Sequence, residues 1–511
     1  MRKPILASLT TNALLAALAV AQGTAAPETA TPVAARRGGL VQRLDALLDQ
    51  PPFNRVSWGV SVVDDRGRSL YQRNADRLFV PASNTKLVVA AVATALLPPT
   101  YRMRTSVYVN GTLQDGVVDG DLVLYGRGDP TWSERCFGVD TLAPGACDST
   151  FTAIDAIAES LLARGVRHVT GKIVGDGSYF EPTLVHPSWN VFDTNWWYAA
   201  PVSGLGFHDN SVDFRITPAE SVGPPPTITW SPELGMFSFE NRARTGPRGR
   251  STIGDNFYRV PGTMDIWAEG TAGLGRDPWI ESFALPDPNR YAARALAYAL
   301  QRRGVAVEGG ASSTTDSLAT RAARCCGAPI AEYLGRPLPD IVFPILNTSQ
   351  NWFAEMLLKT LGREVSGQGN WDAGLEAERR FLIDSVGIDS TAFSLEDGSG
   401  LAAGNLVSPN AFTKLLSFMS AHPRRAPFFA ALPRSGQPGS LLRRFLGTPL
   451  EGRVIAKTGS IDRVNTLSGY IERPNGHALI FSIEANGQAL PGRMVLAQID
   501  SVVVEIGKSS R

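Results

Sequence analysis

Pro81-Ala82-Ser83-Asn84-Thr85-Lys86, running into Leu87-Val88-Val89-Ala90-Ala91-Val92-Ala93, is the stretch on which the reading of this chain turns. Proline followed by a run of Ala, Val and Leu predicts a helix that opens at the serine and continues to about Leu97. Ser83 and Lys86 then stand three residues apart on one helix face, with Cβ atoms about 5 to 6 Å apart. At that separation an amine can take a hydroxyl proton. A serine hydroxyl is a poor nucleophile until a base removes its proton, and a lysine serves as that base only if burial or a second cation keeps it neutral. Amides at a helix N-terminus also favour negative charge developing beside them. The tetrapeptide alone decides little. S-x-x-K arises by chance about once in a chain of this length, and a serine N-cap followed by a solvated lysine explains it at least as well.

Two further stretches change the balance. Ser349-Gln350-Asn351 opens a second predicted helix, and Lys457-Thr458-Gly459 ends a predicted strand. Singly, Ser349 reads as an N-cap and the tripeptide as an exposed strand end closed by a turn glycine. A K-T-G triplet occurs by chance in about one chain in ten of this size, so accident is a poor explanation for all three in this order. Gly459 has no Cβ, which leaves room for a substrate along the strand.

These motifs resemble, in type and order, those of the low-molecular-mass, class C penicillin-binding proteins, serine DD-peptidases of the D-alanyl-D-alanine carboxypeptidase/endopeptidase family. Ser83 and Ser349 are 266 residues apart (349 − 83), Ser349 and Lys457 only 108 (457 − 349). The longer gap holds a large insertion where that family has one. The likeness extends to Gly120-Asp121-Leu122 through Gly128-Asp129-Pro130-Thr131, Gly171 to Asp176, Asn351 to Leu358, Asp397 to Leu401, and Ser468-Gly469-Tyr470 with Asn486. The resemblance implies Ser83 as the acylated nucleophile, Lys86 as its base and Ser349 as a proton relay to the departing amine. It implies that Asn351 holds the substrate's peptide amide, that Lys457 and Thr458 receive its terminal carboxylate, and that the backbone amides of Ser83 and Ser460 form an oxyanion hole. Lys457 would also disfavour a positive charge on Lys86. Peptidoglycan peptides ending in D-Ala-D-Ala are the implied substrates and β-lactam antibiotics the implied covalent inhibitors, with no cofactor and no metal. Two departures stand out: Gln350 where Asp is common, and Leu401-Ala402-Ala403-Gly404 where a more polar run is expected.

Leu40, Val41, Leu44, Leu47 and Leu48 repeat at helical spacing after a Pro/Ala/Gly linker over residues 27–39. Ser57 to Val63 and Leu70-Tyr71 flank Asp64-Asp65-Arg66-Gly67 as a hairpin. Residues 98–337 differ in texture, rich in Gly, Pro and Trp with short alternating strands, and read as an insert of one or two domains. Two helix–Gly–strand units inside it look alike, Leu161 to Gly171 and Leu300 to Gly309; an old duplication or the commonness of glycine at helix ends explains them. Helices return after Asp340, with Trp352, Phe353, Met356 and Leu357 on one face. A strand then leads from Val454 into Lys457, a hairpin joins Leu467–Glu472 to Ala478–Ile483 around Pro474-Asn475-Gly476, and Met494 to Ile506 closes as a helix. Residues 40–97 and 338–511 thus predict one catalytic domain of α/β (α+β) class split by the insert. Its fold is expected to be penicillin-binding/β-lactamase-like, of transpeptidase type, with an antiparallel sheet flanked by helices.

Arg2 and Lys3, a mostly Ala/Leu run to Val20, and small residues at Ala19-Val20-Ala21 and Thr24-Ala25-Ala26 predict a cleavable export signal over residues 1–26, cut after 21 or 26. The expected location is the periplasm or extracytoplasmic cell-wall space. Export permits disulfides, and Cys136 with Cys147 is the preferred pair among the four cysteines, with Cys325 and Cys326 as alternative partners. Lys plus Arg total 49 against 48 for Asp plus Glu, so no overall field favours nucleic acid. His168, His186, His208, His422 and His477 are scattered without an H-E-x-x-H, against a zinc peptidase. The absence of G-x-S-x-G argues against an α/β-hydrolase. A β-lactamase or esterase on the same fold is one rival reading, weakened by the lack of an E-x-x-L-N segment and by the size of the insert. A catalytically silent peptidoglycan-binding protein is another. The sequence leaves open carboxypeptidase against endopeptidase action and the oligomeric state.

Overall fold

Strands from the two ends of the chain build the sheet on which the motifs rest. A computed structural model describes residues 32–508 except 250, 261–262 and 475; the signal reading over residues 1–26 lies outside them. The sheet has five strands in the order Ser69–Arg73, Ser57–Asp64, Ala478–Asn486, Val464–Glu472, Val454–Ile461, with every pair antiparallel. Trp58 lies opposite Ala485 and Val62 opposite Phe481, although more than 400 residues separate them in sequence.

Alternation along each strand sorts the side chains between two cores. Leu479, Phe481 and Ile483, with Leu467, Ile471, Val454 and Ala456, pack under the helices Pro32–Asp49 and Gly492–Lys508. Residues of opposite parity face the other helices. Ile480, Tyr470 and Ile455 join the core of Lys86–Leu96, Leu338–Asn347, Asn351–Ser366 and Pro409–Ala421. Ser468, Ser482, Glu484 and Lys457 share their parity and are also buried, so the inner face of the sheet turns polar where the first and third motifs meet. The first helix begins at Pro32, inside the stretch expected to be linker over residues 27–39. Its Leu40, Leu44 and Leu48 give that segment an apolar stripe to bury.

Residues 102–337 form a seven-stranded sheet of their own and several smaller ones. The chain enters this region on Arg102–Gln114 and leaves on Ala331–Pro337, which pair antiparallel from Val107 opposite Ala331 to Arg102 opposite Pro337. The two similar helix–Gly–strand units lie side by side: His168–Val169 pairs in parallel with Ala306–Val307, and Ile173–Asp176 with Ala311–Thr314. Gly165 and Gly304 end their helices with φ of +92° and +80°, a region that favours glycine. Cys136 and Cys147 are joined as a disulfide in this region. Several of its segments reach the motif-bearing half: Phe137, Phe180, Trp189, Ala199, Ala200, Val202 and Ala284 belong to the same buried cluster as Lys86–Leu96 and Asn351–Ser366.

The central sheet depends on the long-range pairing and on its buried phenyl groups. Phe481→Ala is expected to cost about 3–5 kcal/mol, read as a lower urea midpoint at an unchanged denaturant slope.

Candidate active site

Ser83 sits in a short 3-10 turn, Ala82–Thr85, immediately before the helix Lys86–Leu96. The turn is pinned from several sides. Pro81 O accepts from Asn84 N at 3.1 Å and from Thr466 Oγ1 at 2.9 Å. Asn84 Nδ2 donates to Ser468 Oγ at 2.7 Å, itself joined to Ser482 and Glu484. Burial pushes the Glu484 carboxyl well above its ordinary range. Lys86 is fully buried, and its Nζ lies 2.9 Å from Ser83 Oγ, 2.6 Å from Asn351 Oδ1 and 2.6 Å from Ser399 O. Burial lowers its pKa to about 7, against the opposing pull of Asp397 and Glu355. A neutral amine has two protons and one lone pair. Asn351 Oδ1 and Ser399 O can only accept, so they take the two protons, and the lone pair is left for the Ser83 hydroxyl.

The second and third motifs meet at Lys457. Its Nζ donates to Ser349 Oγ at 2.8 Å and to Thr458 O at 2.7 Å. Burial, followed by the charge of Lys86, drives its pKa well below the usual lysine range. Ser349 precedes the helix Asn351–Ser366 and holds φ at +65°, a strained conformation of the kind found at functional sites. Both ends of the Asn351 carboxamide are engaged: Oδ1 by Lys86 and Nδ2 by Tyr198 O at 2.7 Å. Its contact within the protein is therefore with Lys86, in addition to any it makes with a substrate amide. Thr458 Oγ1 donates to Ser440 Oγ at 3.1 Å, and Ser460 Oγ accepts from Asn465 Nδ2 at 3.0 Å. Gly459 has a reason to lack a Cβ that the strand alone does not reveal. A Cβ there would lie 2.7 Å from Pro81 O and 3.1 Å from Ser83 N, so the third motif closes directly on the first.

The chain matches the family described as D-Ala-D-Ala carboxypeptidase 3 (S13) from residue 40 to residue 506. It belongs to that family. A D-alanyl-D-alanine carboxypeptidase of Actinomadura sp. (strain R39) is 32% identical over 496 residues, 95% of this chain and 87% of that protein. D-alanyl-D-alanine carboxypeptidase DacB of Haemophilus influenzae is 23% identical over 81% of this chain and 82% of its own length. In structure, penicillin binding protein 4 of Haemophilus influenzae superposes with a TM-score of 0.75 at 21% identity, covering 89% of this chain and 97% of that one. A second crystal structure of that protein, in complex with a β-lactam, gives a TM-score of 0.72 at 21% identity over 91% and 99% of the two chains. The fold is thus the penicillin-binding one, and the family is one of serine-type peptidases.

Several groups at the site lie outside the three motifs. Ser399 O and Tyr198 O are backbone carbonyls, which leave no trace in residue type. Glu355 and Asp397 act on Lys86 from behind. A signal for Glu355 was available: it stands four residues after Asn351 and four before Lys359, a polar stripe on one face of a largely apolar helix. The sequence also credits Lys457 with keeping Lys86 neutral, whereas burial is the foremost cause.

Two outcomes follow from this geometry. The acylation rate should rise with pH through about 7, because only the unprotonated Lys86 can take the Ser83 proton; a pH series with a chromogenic β-lactam measures it. Gly459→Ala should destabilise the fold by about 1–3 kcal/mol through overpacking and slow acylation, checked by thermal melting alongside labelling.

Proposed function

We propose that this chain is an exported D-Ala-D-Ala carboxypeptidase of peptidoglycan, working through an acyl-enzyme on Ser83. The observation that carries the reading is the Lys86 amine 2.9 Å from Ser83 Oγ, with oxygen acceptors for its two protons. In the first half-reaction the Ser83 hydroxyl proton passes to Lys86 while Oγ bonds to the carbonyl carbon of the penultimate D-Ala. The C–N bond to the terminal D-Ala then breaks, and the proton that Lys86 took from Ser83 is relayed through Ser349 to its nitrogen. Ser349 suits that role because it is hydrogen-bonded to Lys457. Water cleaves the resulting ester in the second half-reaction and regenerates Ser83.

The Lys457 amine, whose charged form a bound carboxylate would favour against burial, and the Thr458 hydroxyl are assigned to the terminal carboxylate, and the amides of Ser83 and Ser460 to the oxyanion. Gly459 supports this, since the close approach at its Cα brings the strand end and the Ser83 amide together. The strand Val454–Ile461 lies at the edge of its sheet. Arg434 pairs with Ile455, and Ala456 N donates to Pro433 O; from Lys457 onward no further strand pairs on that side among the described residues. An extended peptide can add there by backbone pairing. Residues 40–97 and 338–511 form the catalytic domain in this reading and 98–337 an insert, with residues 1–26 as the export signal. Among the described residues no helix is long and apolar enough to cross a membrane.

Intact-mass measurement of the mature protein with penicillin should show one persistent adduct, absent from Ser83→Ala. Turnover without a lasting adduct would favour a β-lactamase, and neither adduct nor turnover a silent binding protein. Muropeptide digests then separate release of D-Ala from cutting of cross-links.

A further inference from the structure

A single peptide plane links the base to two buried carboxyl groups. The unit joining Ser399 to Gly400 offers its carbonyl to Lys86 Nζ at 2.6 Å, while its N–H, that of Gly400, donates to Asp397 Oδ1 at 2.7 Å. The preceding N–H, that of Ser399, donates to Glu355 Oε1 at 2.7 Å. Both carboxyls are themselves saturated. Glu355 Oε2 accepts from Gly398 N at 3.1 Å and Trp371 Nε1 at 2.8 Å. Asp397 accepts from Ala402 N at 2.7 Å, Asn405 Nδ2 at 2.8 Å and Trp189 Nε1 at 2.9 Å. Gly400 holds φ at +80°, and a Cβ there would lie 1.9 Å from Ala82 O, so the loop is pressed against the turn that carries Ser83. A planar peptide clamped at its N–H cannot rotate its carbonyl independently.

We propose that Glu355 and Asp397 are positioning residues for the acylation step, fixing the Ser399–Gly400 peptide so that its carbonyl, with Asn351, turns the Lys86 lone pair onto Ser83. The inference rests on the reading of Ser83 as nucleophile and Lys86 as base. The two carboxyls also set how easily Lys86 holds its proton, since both pull its pKa upward against burial. Other titratable groups surround them. Lys359 and Glu378 pack around Glu355, His186 faces Asp397, and Lys457 faces Lys86. Burial raises the Glu378 carboxyl well above its ordinary range. Burial, then the charge of Asp397, raises that of Glu355 as well, while three N–H donors favour its ionised form.

The test is the acylation rate with a fluorescent penicillin from pH 5 to 9, counted per acylable site so that misfolded protein drops out. Glu355→Gln loses an acceptor and a charge. Its plateau rate is expected to fall about 100-fold, as for a misplaced reacting group, and its acid limb to move about one pH unit lower because Lys86 loses a neighbouring anion. Trp189→Phe is the second variant. It removes one donor from Asp397, leaves that anion less compensated, and should move the limb to higher pH. A slower rate with the limb unmoved in both variants would indicate a merely structural role and overturn the proposal, as would wild-type rates and limbs. Wild-type protein that takes no label at all would instead overturn the reading of Ser83 and Lys86 on which the proposal stands.

Discussion

An amine removed from water either sheds its proton or surrounds itself with oxygen, and Lys86 is held between these two states. Its burial drives the proton off, while Asn351, Ser399 and the anions behind them call it back. Little else in this half of the molecule can be understood apart from that balance. The helix Lys86–Leu96 must be apolar on every side to seal the amine. The loop after Asp397 must be rigid to present a carbonyl. Tyr198 must arrive from the strand-rich region between Arg102 and Pro337 to turn the Asn351 carboxamide the right way round.

Residues 102–337 therefore do more than hang from the five-stranded sheet and its helices. Trp189 reaches Asp397, Tyr198 O reaches Asn351, Pro201 O accepts from Trp352, and Thr183 O accepts from the buried Lys359. All four come from one stretch of about twenty residues, while the strands that carry the chain in and out of the region pair with one another and leave the five-stranded sheet undisturbed.

Residue type, order and spacing made three motifs legible in the sequence, and with them the sheet, the helices at either end and the family. What stayed hidden is what depends on approach between distant segments. Backbone carbonyls such as Ser399 O have no signature. The need for glycine at 459 reads as room for substrate until the Ser83 turn is seen beneath it. The start of the first helix was missed because small and polar residues from Pro32 to Gly39 carry no periodic apolar signal. The two alike units were visible as sequence; their side-by-side parallel pairing was not.

The pairing of Trp58 with Ala485 has a temporal meaning. A chain made from its N-terminus exposes Ser83 some 374 residues before Lys457 appears (457 − 83), and the strand that buries Glu484 beneath Asn84 comes later still. Contacts of such sequence separation form late and slowly. Until they do, Lys86 is solvated and protonated, and the serine beside it is an ordinary alcohol. In the reading proposed above, Ser83 becomes a nucleophile only when distant segments have closed around Lys86, and capture of a β-lactam would report the completion of folding as faithfully as it reports the chemistry.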